Sequence, residues 1–359
     1  MSRIDTIHQF VPTLGSGDAV GQHTLQVQAL LRDLGFKSEI YAERSTLSSG
    51  RPYSEHSATP GSAVIYQFAI GSVLSDFLRE RGVPLALDYH NITPPKFFEP
   101  WEPALAHGLA WGVHQVHQLQ PHTTLGIADS TFNQTDLVEC GYRRTVVAPI
   151  LLDPGSFDGG VDEGVLGRLG AVSAGGGASW LFVGRMAPNK AQHDVVKAFA
   201  LYRRVFDSRA RLWLVGGSSS DAYVHACREL ADRLGVGSAV EFAGSVSQEA
   251  LTAYYRSADV FVCLSDHEGF CVPLLEAMWH GVPVVAFGSS AVPETLGLGG
   301  VCLPEKSAGV VASAVWRVVS DRLVREGLVA AGRRRLADFE LSKTRAIFTT
   351  AIEQFVEAA

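Results

Sequence analysis

Val260-Phe-Val-Cys-Leu264, then His267-Glu268-Gly269-Phe270-Cys271-Val272-Pro273-Leu274-Leu275-Glu276-Ala277-Met278, then Gly281-Val-Pro-Val-Val-Ala decides the fold. The first run is short and apolar and reads as a buried strand. The Leu/Ala/Met stretch, with Pro273 suited to a first turn, reads as a helix over 272–280, and 283–287 reads as the next strand. Strand, helix, strand is a βαβ unit. Gly269 frees the backbone just before the helix. The helix start would present unpaired N–H groups from Gly269, Phe270 and Cys271 beyond the carboxyl end of a strand, where open α/β sheets bind ligands. An anion site is expected there. Glu268 precedes the helix and Glu276 lies about one turn inside it, so two carboxylates flank one groove, with room for a sugar at one and a ribose at the other. Two solvated glutamates near a helix start are the structural alternative.

The same rhythm extends in both directions. Upstream, strands are expected over 180–184, 211–215 and 240–243, with helices over 192–206, 221–234 and 248–256. Residues 1–150 show an equivalent alternation: strands over 3–10, 36–42, 62–68, 84–89, 124–129 and 145–148, and helices over 19–34, 71–81, 101–120 and 131–140. Asp129 and Ser130 are suitable N-cap types for the last helix. Between the halves, 152–179 is rich in Gly, Asp and Ser and includes Gly159-Gly160 and Gly175-Gly176-Gly177; few residues there could build a core. The expected organisation is therefore an α/β domain over 1–152, a Gly-rich linker over 153–179 and a second α/β domain over 180–337. Helices over 308–320, 321–337 and 341–359 follow, with 338–359 expected to brace the two domains. A length of 359 residues suits two such domains.

Composition narrows the function classes. With 47% hydrophobic and 19% charged residues the chain is globular, and a formal charge of -7 argues against non-specific nucleic-acid binding, which needs a basic face. Residues 1–150 hold more acidic than basic side chains, so they offer no overall attraction to anionic lipid, although a local patch for peripheral membrane contact stays open. No apolar run approaches the length of a membrane span, and MSRIDTIHQF lacks the layout of a signal peptide, so the cytoplasm is the expected location. The five cysteines are scattered, with no Cys-x-x-Cys pair, and read as reduced thiols.

The run Glu268-Gly-Phe-Cys-Val-Pro-Leu-Leu-Glu276-Ala resembles the E-x7-E signature of retaining glycosyltransferases of family 4. The resemblance implies the GT-B fold, two Rossmann-like α/β domains facing across a cleft. In similar enzymes the first glutamate contacts the transferred sugar, the second binds the nucleotide ribose, and the intervening amides hold sugar hydroxyls. Those implied roles pass to Glu268, Glu276 and the stretch Gly269, Phe270, Cys271 and Val272.

Phe182-Val-Gly184-Arg185-Met-Ala-Pro-Asn-Lys190 ends one expected strand and opens the next helix. Arg grips phosphate oxygens bidentately and Lys adds a compact charge, so the pair suits a diphosphate; a solvated surface is the alternative. The segment resembles the G-R-x4-K element of the same family, which makes Gly184, Arg185 and Lys190 donor-binding positions. Gly216, in Val215-Gly216-Gly217, and Phe242, in Val240-Glu241-Phe242-Ala243-Gly244, match family positions near the donor and its base.

In the first half, Thr13-Leu-Gly15-Ser-Gly17-Asp18-Ala-Val-Gly21 reads as a phosphate or acceptor loop. The resemblance sets it opposite the donor phosphates and adds Gly17 and Asp18 to the donor-binding set, although their wording departs from the common Gly-Gly. As a dinucleotide fingerprint the third glycine would fall at Val20, with Glu43 standing where a ribose acid belongs. His90, in Asp88-Tyr89-His90-Asn91, lies at a strand end, and its place resembles the family histidine that touches the transferred sugar; a structural hydrogen-bonder is the alternative. His114, His117 and His122 invite a metal reading, but a solvated helix face is expected. Phe97-Phe98-Glu-Pro-Trp101 would stack on a sugar acceptor or pack on its own helix.

The expected activity is hexosyl transfer, with retention, from a nucleotide-diphosphate sugar such as UDP-, GDP- or ADP-hexose to a sugar, lipid-linked or small-molecule acceptor. His90, Arg185, Lys190 and Glu268 are the catalytic candidates. No cofactor is expected, and the absence of an Asp-x-Asp motif predicts metal-independent chemistry. A nucleotide-sugar epimerase of the same fold and a nicotinamide oxidoreductase using the 15–21 loop are the rival readings.

Overall fold

The computed structural model describes residues 4–15 and 19–359. The chain divides into two compact units, one of residues 1–99, 103–152 and 339–359, the other of 100–102 and 153–338. Each is built on one sheet. In the first unit the strands are β1 (Thr6–Leu14), β2 (Ile40–Ser45), β3 (Gly50–Pro52), β4 (Ser62–Phe68), β5 (Leu85–Tyr89), β6 (Leu125–Ala128) and β7 (Thr145–Val147). They pair in parallel in the order β3-β2-β1-β4-β5-β6-β7. The second unit holds β8 (Ser179–Val183), β9 (Arg211–Val215), β10 (Val240–Gly244), β11 (Val260–Cys263), β12 (Val284–Phe287) and β13 (Val301–Leu303). Their order is β10-β9-β8-β11-β12-β13, again all parallel.

Both orders begin 3-2-1-4 within their own unit, the doubly wound arrangement in which the chain reverses direction across the sheet beside its first strand. Ligands bind outside the carboxyl ends of the strands at that reversal. In the second unit the reversal falls between β8 and β11, so Gly184-Arg185 and Leu264 to Glu268 leave the sheet side by side. Burial on both faces explains the sequence pattern: β11 is Val-Phe-Val-Cys with all four residues buried, a continuous apolar run rather than an alternating one.

One expectation is corrected. The stretch 153–179 is more than a linker: Asp162 accepts from the Val165 N–H at 3.0 Å and caps a helix over Glu163–Ser173 that packs on the helix Gln248–Ser257. Its many glycines hid an apolar stripe, of which Leu169 is fully buried. Strands β3 and β13, three residues each at the edges of their sheets, are not among the expected strands. The final helix, Leu341–Ala358, belongs to the first unit, where Phe348, Ala351, Ile352 and Phe355 are buried with Ile7, Ile65 and Ile127. The aromatic loop is also divided: Phe98 is buried, whereas Trp101 lies in the second unit and meets Tyr223 edge to face at 5.3 Å.

Candidate active site

Two loops leave the sheet of the second unit at its reversal point and are stitched together. The Asp266 N–H donates to the Asn189 carbonyl at 2.8 Å, and Asn189 Nδ2 donates to the His267 carbonyl at 3.2 Å. These bonds bring Lys190 Nζ to 2.5 Å from Glu268 Oε2. Burial works against the Lys190 charge, but Glu268, with the nearby Cys271 and Cys263 sulfurs, more than offsets it and raises the ammonium above its ordinary range. Arg185, five residues earlier on the same loop, is exposed, and its guanidinium makes no ion pair among the described residues. Gln192 Nε2 holds the Arg185 carbonyl at 3.0 Å, which anchors that residue's backbone while its side chain stays in solvent.

The helix start after Glu268 is organised by three neighbours. The Glu268 N–H donates to Ser290 Oγ at 2.7 Å, the Ala291 N–H donates to the Glu268 carbonyl at 3.3 Å, and Thr295 Oγ1 donates to the Phe270 carbonyl. Cys271 is the N-cap of the helix Val272–Trp279, with φ 77° and ψ 64° and no side-chain cap bond. One turn inside, Glu276 accepts from Tyr255 Oη at 2.8 Å, and burial raises its carboxyl above the usual range. Tyr255 in turn stacks on His280, with ring centres 5.0 Å apart.

The backbone itself marks this place. Gly216 has φ 141°, and a Cβ there would lie 2.1 Å from the Gly184 carbonyl oxygen, so β8 and β9 can end this close together only with glycine. Among the described residues, the non-glycine residues with positive φ are Asn91, Ala191, Cys271 and Ser290. Each adjoins or is a predicted site position: Asn91 follows His90, Ala191 follows Lys190, and Ser290 holds Glu268. Strained backbone of this kind concentrates where geometry is fixed for function.

In the first unit His90 sits at the end of β5 with its side chain nearly buried. Its ring nitrogens face two acceptors: Nδ1 lies 2.8 Å from Asp129 Oδ2 and Nε2 lies 2.6 Å from Gln67 Oε1. The Gln67 assignment follows from the chain of bonds behind it. The Thr24 carbonyl can only accept, so Gln9 Nε2 donates to it at 2.9 Å; Gln9 Oε1 then accepts from Gln67 Nε2 at 3.0 Å. That leaves Gln67 Oε1 to accept from the His90 Nε2–H, while Nδ1 faces the Asp129 carboxylate. Behind this pair, buried His23 takes the Leu151 N–H at Nδ1 and faces Asp88 through Nε2 at 2.9 Å. Burial opposes ionisation of Asp88, yet His23 and His90 hold its carboxyl below the ordinary range.

The predicted positions other than His90 fall into three groups. Gly184, Lys190, Gly216, Glu268, Gly269, Phe270, Cys271 and Val272 lie on the connected loops at the carboxyl ends of β8, β9 and β11, and Arg185 and Glu276 lie on the same segments. Phe242 is on the edge strand β10, half-buried beneath the Arg228 guanidinium, which sits 4.4 Å from its ring centre. Gly17 and Asp18 lie outside the described residues. Sequence reasoning missed Asn189, Tyr255, Ser290 and Lys306. Lys306 Nζ lies 2.8 Å from Asp194 and 2.6 Å from Asp266, bracing the loop that carries Glu268. Glu43, the position a nicotinamide reading would use, accepts from Ser72 Oγ at 2.6 Å.

Residues 177–321 match the family of glycosyl transferases group 1. The second unit is a group 1 glycosyl transferase domain. It is similar over 158 residues, at 37% identity, to the GDP-mannose-dependent alpha-(1-6)-phosphatidylinositol monomannoside mannosyltransferase of Mycobacterium tuberculosis; the match covers 42% of this chain and 40% of the relative. The D-inositol 3-phosphate glycosyltransferase of Geodermatophilus obscurus is 32% identical over 261 residues, 69% of this chain and 56% of that protein. The matches thus span about half the length of these relatives. Among solved structures, Anabaena HepE in complex with UDP-glucose superimposes with a TM-score of 0.74 at 16% identity, covering 97% of this chain and 99% of that one. Sucrose-phosphate synthase from Thermosynechococcus elongatus does so with a TM-score of 0.74 at 18% identity, covering 99% and 100%. The fold around the group 1 domain is therefore GT-B, two parallel-sheet α/β units in one chain. No helix among the described residues is long and apolar enough to cross a membrane.

Proposed function

We propose that this protein transfers a hexosyl group, with retention of configuration, from a nucleotide-diphosphate sugar to a hydroxyl-bearing acceptor. One observation carries the reading: Lys190 and Glu268, from two separate motifs, meet at 2.5 Å at the carboxyl ends of β8 and β11. In this reading Arg185 and Lys190 neutralise the leaving diphosphate, and the N–H groups of Gly269 to Cys271 hold the sugar hydroxyls. Glu268 orients the transferred sugar and Glu276 the ribose. Phe242 lies near the base, and Gly17 and Asp18 belong to the acceptor-side loop. The reaction needs no metal ion, because protein cations take the charge that develops on the phosphate as the glycosidic bond breaks; the donor phosphate accepts the acceptor's proton. Only the part of that attraction that grows on bond cleavage accelerates the step. His90 contributes to sugar binding once it exchanges its bond to Gln67 for a hexose hydroxyl.

The relatives guide the choice of substrates. One is named as GDP-mannose-dependent and another as acting on inositol 3-phosphate, while a structural neighbour holds UDP-glucose. GDP-mannose and UDP-glucose are the first donors to test, and inositol-bearing compounds the first acceptors, with a phosphatidylinositol headgroup covering peripheral contact with a membrane. The experiment is a thermal-shift titration with UDP-, GDP- and ADP-sugars, followed by measurement of nucleotide release with each acceptor. A donor at a hundred times its Kd adds about 2.7 kcal/mol of stability. If no activated sugar raises Tm, or if release occurs without sugar appearing on an acceptor, the reading fails.

A further inference from the structure

The site contains two thiols for which the proposed reaction has no use. Cys263 ends β11 and Cys271 caps the helix Val272–Trp279; both are buried, and their Sγ atoms lie 3.8 Å apart. Cys263 Sγ is also 3.4 Å from Ser265 Oγ. Cys271 occupies a left-handed conformation that glycine adopts without strain, so its side chain is kept at a conformational cost although the helix start needs only its N–H. The two sulfurs are unequal. The Cys271 S–H, foremost, together with Ser265 and against the cost of burial, holds the Cys263 thiol below its ordinary range, while the same bond pushes Cys271 up. The Lys190 ammonium nearby favours the anionic form of Cys271, and both sulfurs act back to favour the charged Lys190. At 3.8 Å the two sulfurs are placed to react with each other, Cys263 held in the sheet and Cys271 on the loop that can approach it.

We propose that Cys263 and Cys271 are a peroxide-oxidisable pair, and that their disulfide disables the donor site. The Cys263 thiolate attacks a peroxide oxygen; an S–O bond forms, the O–O bond breaks, and the departing hydroxide takes a proton to become water. Cys271 then attacks the sulfenic sulfur, giving up its proton; the S–S bond forms and the S–O bond breaks with loss of a second water. Two thiols have given two electrons to one peroxide. A disulfide needs the sulfurs to approach by roughly 2 Å. Cys263 is pinned in the sheet opposite Ala286, so the movement falls on Cys271 and on the amides of Gly269 to Cys271. The two sulfurs and the Glu268 carboxylate also lie close enough to surround a thiophilic cation. The Lys190 ammonium already occupies that carboxylate and repels a further cation, so the oxidative reading is favoured.

The loss of donor binding rests on the proposed function, whereas the disulfide itself does not. The full chain, reduced and then treated with hydrogen peroxide, is digested at acidic residues. Cleavage at Asp266 and Glu268 separates the two cysteines, so their bond survives only as a linked fragment. The expected result is that fragment, together with donor-nucleotide affinity weakened by about ten-fold or more and restored by dithiothreitol. Cys263→Ser should bind nucleotide normally and resist peroxide. Oxidation confined to exposed Cys302 or to Cys140, or a linked fragment with unchanged nucleotide affinity, would overturn the proposal. If the reduced protein binds no nucleotide, the proposed function has failed, and the linked fragment alone then decides the thiol pair.

Discussion

Lys190 and Glu268 are 78 residues apart in sequence and form a 2.5 Å ion pair that joins the two loops at the sheet's reversal point. Each would be a costly partly buried charge without the other. In the proposed reaction the pair loosens as the diphosphate draws the ammonium and the hexose draws the carboxylate. Lys190→Ala should therefore lower kcat by roughly 10²–10³, the scale of one preorganised electrostatic donor. Steady-state rates beside a melting curve check this. Normal turnover with an intact fold would remove Lys190 from the chemistry.

Gly216 gives a test on stability alone. Alanine there would place a Cβ 2.1 Å from the Gly184 carbonyl oxygen, at φ 141°. Gly235 also has positive φ, at 73°, but nothing lies within 4 Å of its Cβ position. Gly216→Ala should cost about 3 kcal/mol or more, combining a backbone clash with strain, against about 1 kcal/mol for Gly235→Ala. Chemical denaturation of both variants compares them. Equal losses would mean that β8 and β9 can part without penalty.

The contrast between these two glycines shows what could be read from the sequence. The alternation of apolar runs with amphipathic ones gave both parallel sheets, because strands buried on two faces must be apolar throughout, as β11 is. The spacing of Gly184, Arg185 and Lys190, and of Glu268 and Glu276, gave the loops of the site. Positions defined by a distant partner stayed hidden. Ser290 matters because its hydroxyl accepts from Glu268, and Lys306 because it spans Asp194 and Asp266; neither shows a local pattern. The helix Glu163–Ser173 was obscured by glycines that its packing against Gln248–Ser257 tolerates.

His90 can be tested for two roles with one substitution. His90→Ala removes the partner of both Asp129 and Gln67, and stranded buried polar groups cost roughly 1–3 kcal/mol each. A purely structural histidine predicts lower stability with near-normal kcat once the folded fraction is allowed for. Contact with the transferred hexose predicts a further fall in kcat of at least ten-fold, about 1.4 kcal/mol, with UDP or GDP affinity unchanged. Kinetics below the melting range of the variant separate the two, and unchanged kcat would assign His90 to the buried network alone.

Glu276 should make donor binding sensitive to mild acid. Its carboxyl is raised by burial, and the Tyr255 hydroxyl, which favours the ionised form, only partly offsets this. In the proposed reading the ionised carboxylate accepts from ribose hydroxyls, so nucleotide affinity should fall as pH drops toward the raised value, earlier than an ordinary glutamate would allow. The effect on folding has the opposite sign. A carboxyl whose folded pKa lies above its unfolded one binds protons more tightly when folded, so its ionisation lowers stability as pH rises, and acidification over this window relieves that penalty. Donor affinity and this residue's share of stability should therefore move in opposite directions with pH. Glu276→Gln should weaken binding at neutral pH and flatten the pH dependence, as measured by nucleotide titration from pH 7.5 downward. A steep fall that persists in the variant would place the titrating group elsewhere.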